Sequence, residues 1–199
     1  MRHIGLFGIA AAVTACGGAT DPLASGGGSG DVPSFSGAVA GSPVPATDQL
    51  AARGTTLQGS TAVADAAVLF TNVNGICGFL QRHENPANAT ALSIEVEQVV
   101  PSRSTATDVS PGTYSIYPAA PRISVGAFAM VHYVALDARC STTISEAGAS
   151  GTVNITESDG SVVAGSVDVT FDNGDHVTGS FSAPVCNGDP FVSTAGCGS

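Results

Sequence analysis

The stretch from residue 153 to 185 constrains the fold more than any other part of this chain. Val153 and Ile155 alternate with Asn154 and Thr156. Val167, Val169 and Phe171 alternate with Ser166, Asp168 and Thr170, and Phe181, Ala183 and Val185 alternate with Ser180 and Ser182. A period of two sends successive side chains to opposite faces, so each run is a strand with one apolar and one polar face. Asp172-Asn173-Gly174-Asp175 separates the last two runs. Asn-Gly at such a place predicts a type I′ hairpin turn, whose two central residues both need φ > 0. Glu157-Ser158-Asp159-Gly160 supplies the preceding turn. A three-stranded antiparallel meander follows. Gly165 and Gly179 fall on its inward face, where they make room for bulky neighbours or mark bulges.

Further upstream the same pattern is weaker. Residues 66–71 are short and apolar. Leu92, Ile94 and Val96 alternate with Ser93, Glu95 and Glu97. Pro111-Gly112 leads into 113–117, and 123–136 is apolar on both faces, as in a central strand. Only 78–84 could form a turn or two of helix, ending before Pro86. Seven or eight short strands predict an all-β domain over residues 51–199. The expected architecture is an antiparallel β-sandwich, with a closed β-barrel as the alternative.

The N-terminus reads as an address. Met1-Arg2-His3 is a short basic segment, and an apolar run from Ile4 leads to Val13-Thr14-Ala15-Cys16. That run is too short to span about 30 Å of hydrocarbon, and it has signal-peptide dimensions. Val13-Thr14-Ala15-Cys16 resembles the lipobox of bacterial lipoproteins. The resemblance implies a signal peptide over 1–15, cleavage before Cys16, and acyl chains on the Cys16 thiol that hold the protein to a membrane. Gly17 rather than Asp follows Cys16, which by the same resemblance points to the outer membrane. Residues 17–50 hold eight Gly, five Ser and four Pro among 34 positions, the composition of a flexible tether.

Five cysteines is an odd count for an exported chain. Lipidation of Cys16 leaves Cys77, Cys140, Cys186 and Cys197, an even number in an oxidising compartment, and so two disulfides. Four cysteines allow three pairings. Cys186–Cys197 with Cys77–Cys140 is favoured, followed by Cys140–Cys186 with Cys77–Cys197. No C-x-x-C spacing points to a thiol redox motif or a zinc ribbon. The ending Ala183-Pro184-Val185-Cys186, with Gly112-Thr113-Tyr114, also resembles strand pieces of uncharacterised exported lipoproteins of GC-rich Gram-negative bacteria. No activity comes with that resemblance.

Lys is absent, and six Arg face sixteen acids for a formal charge of −10. That balance argues against a nucleic-acid partner, which needs a basic footprint. No catalytic, cofactor or metal motif is present. His83 reads as a loop residue, His132 as a strand histidine, and His176 as a surface residue after the hairpin. Asp172, Asn173 and Asp175, like Glu157 and Asp159, read as turn formers rather than calcium ligands, because calcium wants six to eight oxygens. Arg122 and Arg139 are expected to pair with Asp137. The expectation is a membrane-tethered envelope lipoprotein, a non-enzymatic binding or structural module whose protein or glycan partner the sequence does not name. An envelope hydrolase working through a carboxylate pair is the alternative, and two converging acids in a cleft would be its mark.

Overall fold

The computed structural model describes residues 32–58, 61–100, 109–118, 126–186 and 196–198. Residues 1–15, read above as a signal peptide, Cys16, the glycine run at 26–30 and Arg122 lie outside them. The elements in chain order are β1 (Ser34–Val39), β2 (Ser42–Pro43), β3 (Asp48–Gln58), β4 (Thr61–Thr71), α1 (Ile76–Gln81) and β5 (Glu84–Pro86). There follow β6 (Thr90–Val100), β7 (Gly112–Ser115), β8 (Ala127–Leu136), β9 (Thr142–Ser158), β10 (Val162–Phe171), β11 (His176–Pro184) and β12 (Gly196–Gly198).

Ten strands form one antiparallel sheet in the order β2-β1-β11-β10-β9-β8-β6-β4-β3, with β7 beside β9. The chain is therefore all-β as expected, but it makes one curled sheet rather than two facing ones. The curl is visible where β11, third in this order, comes back to β3 at the far end. Val185, just past β11, bridges to Ala51 on β3. The Cys186 amide donates to the Ala51 carbonyl at 2.7 Å, and the Gln49 side-chain amide donates to the Ser182 carbonyl at 3.1 Å. One strand does much of the bending. β9 pairs with β8 through its first half and with β7 and β10 through its second. Within the second half lies Gly151 at φ 128, paired with Val169, where a β-carbon would sit 2.0 Å from the Asp168 carbonyl oxygen. Only glycine fits that approach.

The inward face of the curl is the core. Ala64, Ala66, Val68 and Phe70 on β4, Leu92, Ile94 and Val96 on β6, and Val153, Val167, Val169, Phe171, Val177 and Phe181 further round belong to one buried cluster. The expected shared face of Val167, Val169, Phe171 and Phe181 is present, with Val185 packed partly buried against it. Gly179 is the inward gap through which Phe35 of β1 enters, and Phe35 meets Phe70 edge-on at 4.8 Å between ring centroids.

Three expectations need correction. The first is the tether, which does not run to residue 50. Ser34–Val39 is already a strand on β11, and Val39, Val44 and Leu50 are buried. Its small residues serve close strand approach as well as they would serve a linker. The second is the Asn173-Gly174 tip. Of the two residues only Gly174 has positive φ, at 88°, and its amide donates to the Phe171 carbonyl at 2.9 Å. This is a type I turn closed by a left-handed glycine, not a type I′ turn.

The third is the disulfide pairing. The bonds are Cys77–Cys186 and Cys140–Cys197, the pairing ranked last among the three. Cys77 lies on α1, where Ile76 shares a small apolar cluster with Leu50 and Cys186. The curl delivers the end of β11 to that cluster. Asp48 helps to hold α1 in place, its carboxylate accepting from the Gly75 and Ile76 amides at 2.7 and 3.0 Å. Cys140 lies in the β8–β9 turn, and Cys197 lies on β12, which runs parallel to β5.

Candidate functional site

The residues picked from sequence do not converge. His83 is an exposed residue after α1 in the left-handed region, φ 58. His176 is exposed and holds Asp168 by its Nε2, 2.9 Å from Oδ1. His132 is on β8, where burial lowers its pKa while the charge of Asp172 pulls it up. The acidic turns spend their oxygens locally. Asp159 Oδ1 accepts from the Ser161 amide, the Ser161 hydroxyl and the Val162 amide, and these bonds hold its carboxyl below the usual carboxylate range. Asp175 Oδ2 accepts from the Ala40 amide and the Asn173 side chain, pinning the β1–β2 turn to the β10–β11 turn. Asp137 does not wait for a guanidinium. Its Oδ1 caps the backbone amides of Arg139 and Ser141 at 2.8 and 2.9 Å. Among the described residues no group of three or more His, Cys, Asp or Glu is arranged to hold a metal ion.

Two other features emerge from the register. One is a row of acids on the outward face of β4 and β6. Asp65 and Glu97 are direct cross-strand partners, and Glu95 lies two residues along, opposite Ala67. Asp65 and Glu97 are each only 7 % exposed. Burial first, then the charges of Glu97 and Asp65, pushes Glu95 up to about 7. Glu97 is raised by burial and by Asp65. The neighbouring strand closes the row with apolar side chains, since Glu95 faces Met130 and Glu97 faces Phe128, both buried. Chemically, Glu95 near neutrality is a group that could hold or release a proton.

The other is a polar face on the opposite part of the sheet. Following the pairs across five strands, Thr113 on β7 faces Asn154 on β9, then Ser166 on β10, Ser180 on β11 and Ser34 on β1. Two residues along, Ser115 faces Thr152, then Asp168, Thr178 and Ser36. All ten are short polar side chains, and all are solvent-accessible, seven of them exposed and three half-buried. Cross-strand bonds tie them together, Thr113 Oγ1 to Asn154 Oδ1 at 3.2 Å and Ser34 Oγ to Ser180 Oγ at 3.3 Å. The alternation in β9, β10 and β11 announced this face. The contributions of β1 and β7 to its rows required the fold. No family model, curated protein or solved structure matches this chain.

Proposed function

We propose that this protein is an exported lipoprotein, anchored through acyl chains on Cys16, whose β domain is a non-enzymatic binding module of the cell envelope. The observation that carries the reading is the cysteine count. Cys77, Cys140, Cys186 and Cys197 close on one another, and the one cysteine left over is the one that ends the Val13-Thr14-Ala15-Cys16 signature. Two disulfides fit an oxidising compartment, and a net charge of −10 fits neither a nucleic-acid partner nor electrostatic docking on anionic lipid. The tether now covers at most residues 17–33, since β1 begins at Ser34. The outer membrane is the expected site, on the absence of Asp after Cys16.

The test is Cys16→Ser in cells, read by detergent phase separation and by labelling with a radioactive fatty acid. The reading expects label and detergent partitioning for the wild type and neither for the variant. Equal partitioning of both would remove the anchor from the account.

A second reading, an envelope hydrolase, is favoured by one observation, the row of buried Asp65 and Glu97 with half-buried Glu95, which is pushed up to about 7. A general acid poised near neutrality is what such an enzyme needs. Release of soluble fragments from isolated envelope polymer, abolished in Glu95→Gln, would put this reading first.

A further inference from the structure

We infer that the two-row polar face of β7, β9, β10, β11 and β1 is a docking surface for a neutral, extended polysaccharide laid across the strands. The inference deepens the binding-module reading and rests on it.

The face leaves out almost all charge. Sixteen acids stand in the chain, yet only Asp168 falls in the two rows, and His176 holds its carboxylate at 2.9 Å. No arginine lies in the rows and the chain has no lysine, so nothing there attracts a polyanion. No aromatic or aliphatic anchor lies in them either, and protein–protein interfaces draw most of their affinity from such anchors. Eight hydroxyls, one carboxamide and one carboxylate remain. A hydroxyl donates and accepts at once, as do the hydroxyls of a sugar. Short side chains also lose little rotamer freedom when a partner fixes them, whereas Lys, Arg and Glu, the usual cover of a solvated sheet, lose most.

Spacing supplies the second argument. Adjacent strands lie about 4.8 Å apart, comparable with the length of one sugar residue in an extended glycan. A chain crossing β7, β9, β10, β11 and β1 therefore meets a hydrogen-bonding group at each step, with a second row about 6.7 Å away. The block is also regular. The two register shifts in the β9–β10 pair fall at Ala164/Gly165 and Thr170/Phe171, on either side of Ser166 and Asp168. With many modest hydrogen bonds and no aromatic ring within the rows, the surface favours a long polymer over a short oligosaccharide.

The experiment is co-sedimentation of the full-length, detergent-solubilised protein with insoluble chitin and with cellulose, and with calcium alginate as an anionic comparison. Thr152→Arg combined with Ser180→Arg puts two long cations on the rows. Ser145→Arg, on an exposed position of β9 away from them, is the control. The wild type and Ser145→Arg should sediment with at least one neutral polymer, and the paired variant should lose binding by about tenfold or more at an unchanged unfolding temperature. If the pair melts early, Ser36→Arg on exposed β1 replaces it. Absence of binding to both neutral polymers, binding that the row variants retain, or preference for alginate would overturn the inference. Phase partitioning through Cys16 is scored on the same samples. Lost glycan capture with an intact anchor retires this surface alone, and a lost anchor with intact capture retires the lipoprotein reading alone.

Discussion

Gly179→Ala is the substitution whose effect the fold specifies most narrowly. Gly179 pairs with Phe35. A β-carbon on it would sit 2.2 Å from Phe35 Cδ1 and 2.6 Å from the Ser34 carbonyl oxygen. The ring can swing away, but the carbonyl belongs to the β1 backbone, so β1 must lift from β11. Lifting it also disturbs the edge-on packing of Phe35 on Phe70 at 4.8 Å and of Phe70 on Phe181 at 5.7 Å. Overpacking of this kind costs about 1–3 kcal/mol, and disturbing the ring stack places the expected cost at the upper end, about 2–3 kcal/mol. For a chain of this size that lowers the unfolding temperature by about 4–12 °C. Phe35→Ala alone removes a half-buried ring and should cost about 2 kcal/mol, below the range for a fully buried Phe. In the double variant the ring contact is gone and the Ser34 carbonyl contact remains, so the combined cost should fall short of the sum by about 1 kcal/mol. The assay is urea unfolding of all four proteins. Additivity within about 0.5 kcal/mol, or a Gly179→Ala protein as stable as wild type, would mean that β1 does not lie on β11 in this register.

Peptide mapping of unreduced protein should yield fragments joining Cys77 to Cys186 and Cys140 to Cys197, and a Cys186–Cys197 fragment would contradict the curl. The Cys77–Cys186 bond spans a sequence separation of 109, so the chain-entropy model gives a loss of about 5 kcal/mol for Cys77→Ser with Cys186→Ser, measured by urea unfolding. Glu95, raised from 4.5 to about 7, binds its proton more tightly folded than unfolded. Its contribution to stability is therefore full below about pH 4.5 and lost as pH rises towards 7. Glu95→Gln should flatten that fall and be the more stable protein at pH 8. His132, lowered by burial, acts in the opposite sense, its contribution fading as pH drops below about 6.5. A pH profile of unfolding unchanged by Glu95→Gln would remove the buried acid from the account.

The meander of β9, β10 and β11 was legible because one of its faces meets water, so burial and polarity alternate along the chain. The first half of β9, Thr142 to Gly148, was not, since it carries little that is apolar beyond Ile144. β1 was hidden by its composition. Ser34, Ser36 and Gly37 read as linker, and the apolar residues Phe35, Val39, Val44 and Leu50 were the available signal for a buried strand. Disulfide pairing depends on where the curl brings β11 relative to α1, which no spacing along the chain encodes. Glu95 and Glu97 read as solvent-facing because alternation fixes the side of a sheet. It does not fix whether that side is covered, and here Phe128 and Met130 share it. The members of the polar rows were visible one by one, but their alignment across five strands depends on β1 and β7 pairing in register.

The central claim is that one cysteine is lipidated and four are bridged, and the intact mass of the mature protein purified from membranes tests it most directly. The account predicts an N-terminal residue Cys16, a mass lighter by the hydrogens of two disulfides, and one heavier by a diacylglyceryl group with or without an added acyl chain. A mass that retains residues 1–15, or that matches cleavage before Cys16 with no lipid, would contradict it.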